Sequence, residues 1–363
     1  MKTVVISGYY GYENIGDEAL LASIIAALKA DIPDLRITVL SASPQQTAAR
    51  YGVEAVNRFS LFAVFTALRR ADLLISGGGS LLQDVTGPFT IPYYLSIVAM
   101  ARMLGKQVMF YAQGIGPVSK GFGRMLIKLV ADRVNMITLR DPASGELLKE
   151  IGVHNPPVEL TADPVFGIDV GGLAGSTEVY SELGLTKPTG PLAGIFVREW
   201  QGQNGYKRAL AAAADMMYDD GWQVMFVPMQ YPGDVDPARE IARMMRNTPI
   251  LVERGLALHQ IMGLAASMDL VIGMRLHALI IATVCGVPMV GISYDPKVAE
   301  FLDTIGQPVI REMEKLTPEL LIDQVVSIKH NSDDIRKNLH NVKEGLRMKA
   351  LRNSKIAAEI LRK

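Results

Sequence analysis

The segment Gly273-Met274-Arg275-Leu276-His277 brings a guanidinium and an imidazole together where an apolar strand, Asp269 to Ile272, gives way to an apolar helix, Ala278 to Cys285. Carboxyl ends of strands are where open parallel α/β sheets bind ligands. The planar fork of an Arg matches a carboxylate or phosphate, and a His moves a proton near neutral pH, so the pair suits a doubly anionic substrate in acid/base chemistry. A buried Arg held by carbonyls beside a His packed under the sheet is the structural alternative. Other strand ends weigh against it: Leu192 to Phe196 runs into Arg198, Gln223 to Pro228 into Gln230, and Pro288 to Ile292 into Ser293, Asp295 and Lys297. Polar groups gathered at strand ends read as the site of an enzyme.

Elements that position such groups recur along the chain. Val- and Ile-rich runs (Val4 to Ser7, Ile37 to Leu40, Leu73 to Ser76, Val108 to Tyr111, Met136 to Leu139, Val158 to Leu160) alternate with helical stretches such as Glu18 to Ala30, Leu61 to Arg70, Pro92 to Leu104 and Phe122 to Val134. Short continuous apolar strands between helices predict a parallel, doubly wound α/β sheet with helices on both faces. Around Gly167 to Thr189 the pattern lapses into Gly, Ser, Thr and Pro, after which a second series begins. The expectation is α/β, two doubly wound Rossmann-like domains facing across a cleft: residues 1–170, a linker at 171–189, and residues 190–363 including terminal helices. In that tail Leu339, Val342, Leu346, Leu351, Ile356 and Leu361 mark an apolar stripe.

Composition narrows the partners. Lys plus Arg equal Asp plus Glu at 37 each, without a basic stripe, which argues against nucleic acid. The one cysteine, Cys285, lies in an apolar helix and reads as core packing in a reducing compartment. His154, His259, His277, His330 and His340 are too scattered for a zinc site, so no metal is expected. Met1-Lys2-Thr3 leads straight into a strand without the succession of a secretory signal, and the apolar stretch Tyr93 to Met100 falls short of a membrane span. A cytoplasmic location is expected.

The first half has a different character. Gly8-Tyr9-Tyr10-Gly11-Tyr12-Glu13-Asn14-Ile15-Gly16-Asp17-Glu18 is a glycine-rich loop entering a helix, a setting that often cradles phosphate. Here Glu13, Asp17 and Glu18 would repel one. Asp17 is placed to cap the helix; alternatively Asn14, Asp17 and the tyrosines hydrogen-bond sugar hydroxyls. Gly77-Gly78-Gly79-Ser80 and Gln113-Gly114-Ile115-Gly116-Pro117 end two more strands. A neutral polyol in the first half and an anion in the second is the economical inference.

With Gly11 to Glu18, Gly77 to Gly79, Gln113 to Pro117 and Arg275-Leu276-His277 in this order, the chain resembles the polysaccharide pyruvyl transferase family over roughly Met1 to Leu302, and within it the bacterial branch that pyruvylates secondary cell-wall polymer for S-layer anchoring. The resemblance implies a GT-B-like fold, transfer of pyruvate from phosphoenolpyruvate to a sugar, and release of phosphate. It also implies the acceptor: the ManNAc unit of a ManNAc-GlcNAc disaccharide on undecaprenyl diphosphate, giving a 4,6-ketal. Phosphoenolpyruvate is then a co-substrate, and no cofactor is expected.

The Arg-Leu-His segment that the family associates with donor binding falls on Arg275, Leu276 and His277; Arg198 and Lys297 join them by strand-end position. His277 is the expected general acid, since an adjacent phosphate keeps it protonated. Acceptor contacts are expected from Asn14, Asp17, Gly78, Gly79 and Gln113. For the base, Asp17 is the candidate, with Asp84, Asp163, Asp295 and the departing phosphate as alternatives. A lipid-linked acceptor implies peripheral contact with the inner face of the membrane, and Arg58 to Arg70, aromatic residues flanked by cations, suits it; an ordinary core helix is the plainer reading. The rival functions are a nucleotide-sugar-dependent GT-B glycosyltransferase and a two-lobed glycan receptor.

Overall fold

Strands apolar on both faces need helices above and below, and each parallel pair needs a crossover long enough to hold one. The computed structural model, which describes residues 1–85, 87–170 and 176–362, has that construction twice. The chain divides into one unit of Met1–Ile168 joined by the chain from Gly345, and a second of Asp169–Glu344.

In the first unit a seven-stranded sheet has the order β3-β2-β1-β4-β5-β6-β7. Its strands are β1 (Thr3–Ser7), β2 (Arg36–Ser41), β3 (Glu54–Asn57), β4 (Leu73–Leu82), β5 (Gln107–Ile115), β6 (Met136–Leu139) and β7 (Val158–Leu160), all paired in parallel. On one face α1 (Ile15–Asp31) packs Leu21, Ile24 and Leu28 against Val4, Ile6 and Ile75. On the other, α3 (Leu61–Arg70), α4 (Thr90–Met103), α5 (Gly121–Ala131) and α6 (Pro142–Ile151) cover Val5, Leu74, Val108 and Phe110. A short α2 (Pro44–Tyr51) lies between β2 and β3.

The second unit has a six-stranded parallel sheet in the order β10-β9-β8-β11-β12-β13. Its order along the chain is α7 (Ser176–Leu183), β8 (Leu192–Phe196), α8 (Gly205–Asp219), β9 (Gln223–Phe226), α9 (Val235–Met244), β10 (Ile250–Leu251), α10 (Leu258–Ala266), β11 (Leu270–Gly273), α11 (Leu276–Cys285), β12 (Met289–Ile292), α12 (Pro296–Ile305), β13 (Val309–Ile310) and α13 (Pro318–His330). Close packing of helix on strand demands a missing side chain at Gly291, where a Cβ would come within 2.0 Å of Leu302 Cδ1.

Three features differ from the sequence reading. The linker at 171–189 begins in 171–175, outside the described residues, but Ser176–Leu183 is helical and belongs to the second unit: Val179 packs on Gly263 of α10, and Tyr180 and Ser267 hydroxyls lie 3.1 Å apart. Strands β4 and β5 run on through their glycines to Leu82 and Ile115, pairing across a register shift. Finally, α14 (Ser332–Arg362), expected from sequence in the second domain, belongs from Gly345 to the first unit. Its wholly buried Asn353 accepts from the hydroxyls of Thr138 (2.5 Å) and Thr161 (3.0 Å), and Ile356, Ala357 and Leu361 join the α1 face.

Cys285 ends α11, and burial pushes its thiol up to about 12, with Lys343 only partly opposing. At pH 8 almost no thiolate forms, so iodoacetamide should label the native protein roughly a hundredfold or more slower than the unfolded chain. Mass spectrometry of timed samples checks this; equal rates would contradict the packing of α11.

Candidate active site

Each sheet has a topological switch point, where the chain leaves neighbouring strands in opposite directions and loops part to form a crevice. In the second unit it lies between β8 and β11. Register pairs Phe196 with Gly273, and Met274 donates to the Phe196 carbonyl (2.9 Å), so Arg198 and Arg275 leave adjacent strands at the same level. Gly273 is paired in turn with Gly291, which brings in Ser293 to Lys297 after β12. The strand-end groups expected from sequence share one edge of one sheet.

Arg275 is the N-cap residue of α11, its side chain making no bond to the first turn, and Leu276 and His277 are the first helical residues. The helix amino terminus therefore faces the crevice with its favourable field for an anion. The Arg275 guanidinium turns to Asp234: Nε donates to Oδ2 (3.1 Å), Nη2 donates to Oδ1, and Nη2 also reaches Gln230 Oε1 (3.3 Å). Asp234 is only 1% exposed and further accepts from the backbone NH groups of Met229 (3.1 Å) and Gln230 (2.9 Å). Nη1 takes part in none of these bonds, so an anion would meet that edge of a guanidinium already fixed in orientation. Half-buried His277 follows with its Nε2 buried.

Arg198 is held differently. Nη1 donates to the Tyr294 hydroxyl (2.8 Å), and the guanidinium carbon lies 4.6 Å from the Tyr294 ring centroid and 5.7 Å from that of Trp200. Its Nε is buried with no hydrogen-bond partner among the described residues, a costly arrangement that an anionic ligand would relieve. The turn carrying it is fixed by the Tyr206 hydroxyl donating to the Arg198 carbonyl (2.8 Å), and by buried Lys207 donating to Glu199 (2.5 Å) and Glu240 (2.6 Å). Trp200 and Tyr294 also line a concavity of about 500 Å³ beside the ends of β8, β12 and β13. Lys297 lies in the first turn of α12, its NH donating to Asp295, the cap of that helix (3.1 Å).

In the first unit the switch point lies between β1 and β4. Asn14, rather than Asp17, caps α1, accepting from the Gly16 NH (3.1 Å). Glu18 is buried and clamps the loop: it accepts from the Gly11 NH (3.1 Å) and the Tyr51 hydroxyl, with Arg50 at 3.4 Å. Part of the negative charge read from sequence is thus neutralised inside. Asp17 stands in the first turn against the bend of β4: a Cβ on Gly79 would lie 3.5 Å from its Oδ1. Gly78 and Gly79 have φ of +45° and +78°, the left-handed region where a side chain is strained.

Gln113, expected to touch the acceptor, is instead wholly buried, with Nε2 donating to the Gly79 carbonyl (2.9 Å) and Oε1 accepting from Ser76 (3.3 Å). It braces the glycine bend. Gln113→Leu would strand that carbonyl and should cost about 1–3 kcal/mol, read by thermal unfolding; an unchanged midpoint would contradict the brace. The alternative bases are engaged as well. Asp163 pairs with buried Arg140 (2.7 Å), which also donates to Ser80 (3.0 Å). On Asp84, burial works against the charge, but donations from Lys120 and Ser119 outweigh it and hold the carboxyl below the usual range. Asp295 caps α12.

Sequence reading missed the surroundings of Arg58. Arg58, which the membrane reading sets at a lipid surface and the plainer reading in the core, is 5% exposed, donating to the Gly8 carbonyl (2.7 Å) and to the hydroxyls of Tyr93 (3.0 Å) and Tyr94 (3.2 Å). Burial opposes its charge, yet those hydroxyls raise its pKa overall, while burial pushes Tyr94 up to about 12. Tyr9 and Tyr12, stacked at 4.2 Å, and Phe59 complete the aromatic surround and bring flat rings beside Asp17's loop. Tyr spacing alone carries no sign of this, because its centre is an Arg from after β3.

Among the described residues no group of three or more His, Cys, Asp or Glu could hold a metal ion. Two parallel, doubly wound units are the construction of the GT-B fold. HepE of Anabaena, solved with UDP-glucose, is similar in fold, with a TM-score of 0.67 at 14% identity and 100% coverage of both chains. Heptosyltransferase II of E. coli, which is described as an ADP-heptose enzyme of lipopolysaccharide, gives a TM-score of 0.57 at 16% identity, covering 92% of this chain and 100% of that one. The polysaccharide pyruvyl transferase family model matches residues 14–296, and the chain belongs to that family. Amylovoran biosynthesis protein AmsJ of Erwinia amylovora is 24% identical over 319 residues, 81% of this chain and 74% of that protein. A transferase acting in polysaccharide biosynthesis follows.

Proposed function

We propose that the protein transfers pyruvate from phosphoenolpyruvate to the ManNAc unit of a ManNAc-GlcNAc disaccharide on a polyprenyl diphosphate, forming a 4,6-ketal, with the product a precursor of S-layer-anchoring cell-wall polymer. The observation that carries the donor assignment is the pair Arg198 and Arg275 at the β8/β11 switch point, the one with a buried unpartnered Nε, the other at a helix amino terminus. Two guanidinium groups answer the carboxylate and the phosphate of the donor. Lys297 supplies a further cation.

In the reaction, His277 gives a proton to C3 of the enol while one sugar hydroxyl attacks C2. The C2–O bond to phosphate then breaks, phosphate leaves, and the second hydroxyl closes the ketal with loss of its proton. Asp17 is the proposed base for the acceptor, the departing phosphate its alternative; Asn14 and the backbone at Gly78 and Gly79 are the proposed acceptor contacts. A lipid-linked acceptor sets the work at the inner face of the cytoplasmic membrane. Phosphate release from phosphoenolpyruvate, with and without a synthetic ManNAc-GlcNAc-diphosphate-lipid, tests the reading. Acceptor-dependent release with a pyruvyl mass increment supports it; consumption of a nucleotide sugar instead would replace it with a glycosyltransferase.

A further inference from the structure

The outer face of α3, α4 and α5 departs from what a solvated helix layer should be. These helices lie side by side over one face of the first unit's sheet, burying Val64 and Leu68, Leu95 and Val98, and Ile127. An ordinary surface helix then turns polar residues outward. Here Phe62 is 82% exposed on α3, Met103 80% on α4 and Phe122 62% on α5. On α5, Phe122, Met125 and Leu129 form an apolar stripe opposite the buried one. Met1 and Met348 apart, every large apolar residue more than half exposed among the described residues lies on these helices or on the segments leading into them. Met103 and Leu129 line a common groove of about 760 Å³, so the face is continuous from α4 to α5.

The charges on the same helices have one sign. In a chain whose acidic and basic residues balance at 37 each, α3, α4 and α5 contain no Asp or Glu, yet carry Arg69, Arg70, Arg102, Arg124 and Lys128. Two of these cations reach carboxylates from outside, Lys128 to Asp132 (3.1 Å) and Arg124 to Glu150 (3.6 Å), in exposed pairs of a kind that binds weakly. Arg69 and Arg70 are exposed.

We propose that this face seats the protein on an anionic lipid bilayer, the aromatic and Met side chains entering the headgroup boundary and the cations meeting lipid phosphates. A large exposed apolar surface marks an interaction site, and exposed aromatic residues on helices whose last turns carry Lys and Arg are what such a boundary accommodates. A second copy of the chain is the poorer occupant, because a self-complementary contact would bring these cations against their own kind. The proposal rests on the lipid-linked acceptor for its purpose only; exposure and charge carry it independently.

Flotation with vesicles of phosphatidylglycerol and phosphatidylethanolamine, against vesicles of phosphatidylcholine alone, tests it. Binding to the anionic vesicles is expected, weakened by salt, and reduced about tenfold or more in Phe62→Ser/Phe122→Ser, whose melting curve should match the parent. An Arg69→Ser/Arg70→Ser variant should lose much of the salt-sensitive part. Indifference of binding to either variant, equal binding to phosphatidylcholine, or a parent dimer that dissociates in the Phe variant would overturn the proposal. Turnover of a short-chain, water-soluble acceptor separates the two readings: vesicle binding without any turnover would leave the docking face and remove the pyruvyl transfer proposed above.

Discussion

Arg275→Ala is expected to lower the stability of the second unit by about 3–5 kcal/mol, because it leaves the buried Asp234 carboxylate without its counter-charge. In a unit of this size that is a fall in melting temperature on the order of 10 °C. Donor turnover should fall as well, and the two effects are separable. Adding Asp234→Asn to Arg275→Ala removes the uncompensated charge, so part of the lost stability should return while donor affinity does not. Arg275→Lys keeps a charge but not the fork that reaches both Asp234 oxygens and Gln230, so it should bind phosphoenolpyruvate roughly 10–100-fold more weakly. Circular dichroism melts with KM measurements check this; an Arg275→Ala protein as stable as the parent would mean that the pair with Asp234 is not formed.

His277→Gln is expected to reduce kcat by about 10²–10⁴ with little change in KM for the donor or in melting temperature. The substitution keeps a polar side chain in the first turn of α11 but removes the group that can deliver a proton to C3. The parent should lose activity as pH rises and the imidazolium is depleted, and the variant should lack that limb. A matching pH profile in both proteins, whatever the loss in rate, would reduce His277 to a positioning residue and send the search for the acid elsewhere.

Much of the architecture is legible along the chain, because the alternation of Val- and Ile-rich runs with helices has few solutions other than a doubly wound sheet. Arg198, Arg275, His277 and Lys297 group together from sequence alone, since each follows an apolar run. What could not be read is what those side chains hold. Asp234 lies far from Arg275 in sequence, just ahead of α9, and nothing in its neighbourhood distinguishes it from a surface acid. Gln113 looks like a ligand contact until the register of β4 and β5 sets it on the Gly79 carbonyl. The return of α14 to the first unit turns on Asn353, a polar residue that an apolar stripe does not count. Residues 176–183 read as linker because Gly, Ser and Thr around them mask a short helix whose inward side is Val179, Tyr180 and Leu183.

If pyruvyl transfer proceeds by protonation of the donor's methylene carbon by a group in exchange with water, the product of transfer run in deuterium oxide with phosphoenolpyruvate and the lipid-linked disaccharide will record it, read by mass and proton NMR. A ketal whose methyl carries a single deuterium, formed with release of phosphate and suppressed in His277→Gln, is the expected result. A methyl without deuterium, or an acceptor left unchanged while a nucleotide sugar is consumed, would contradict it.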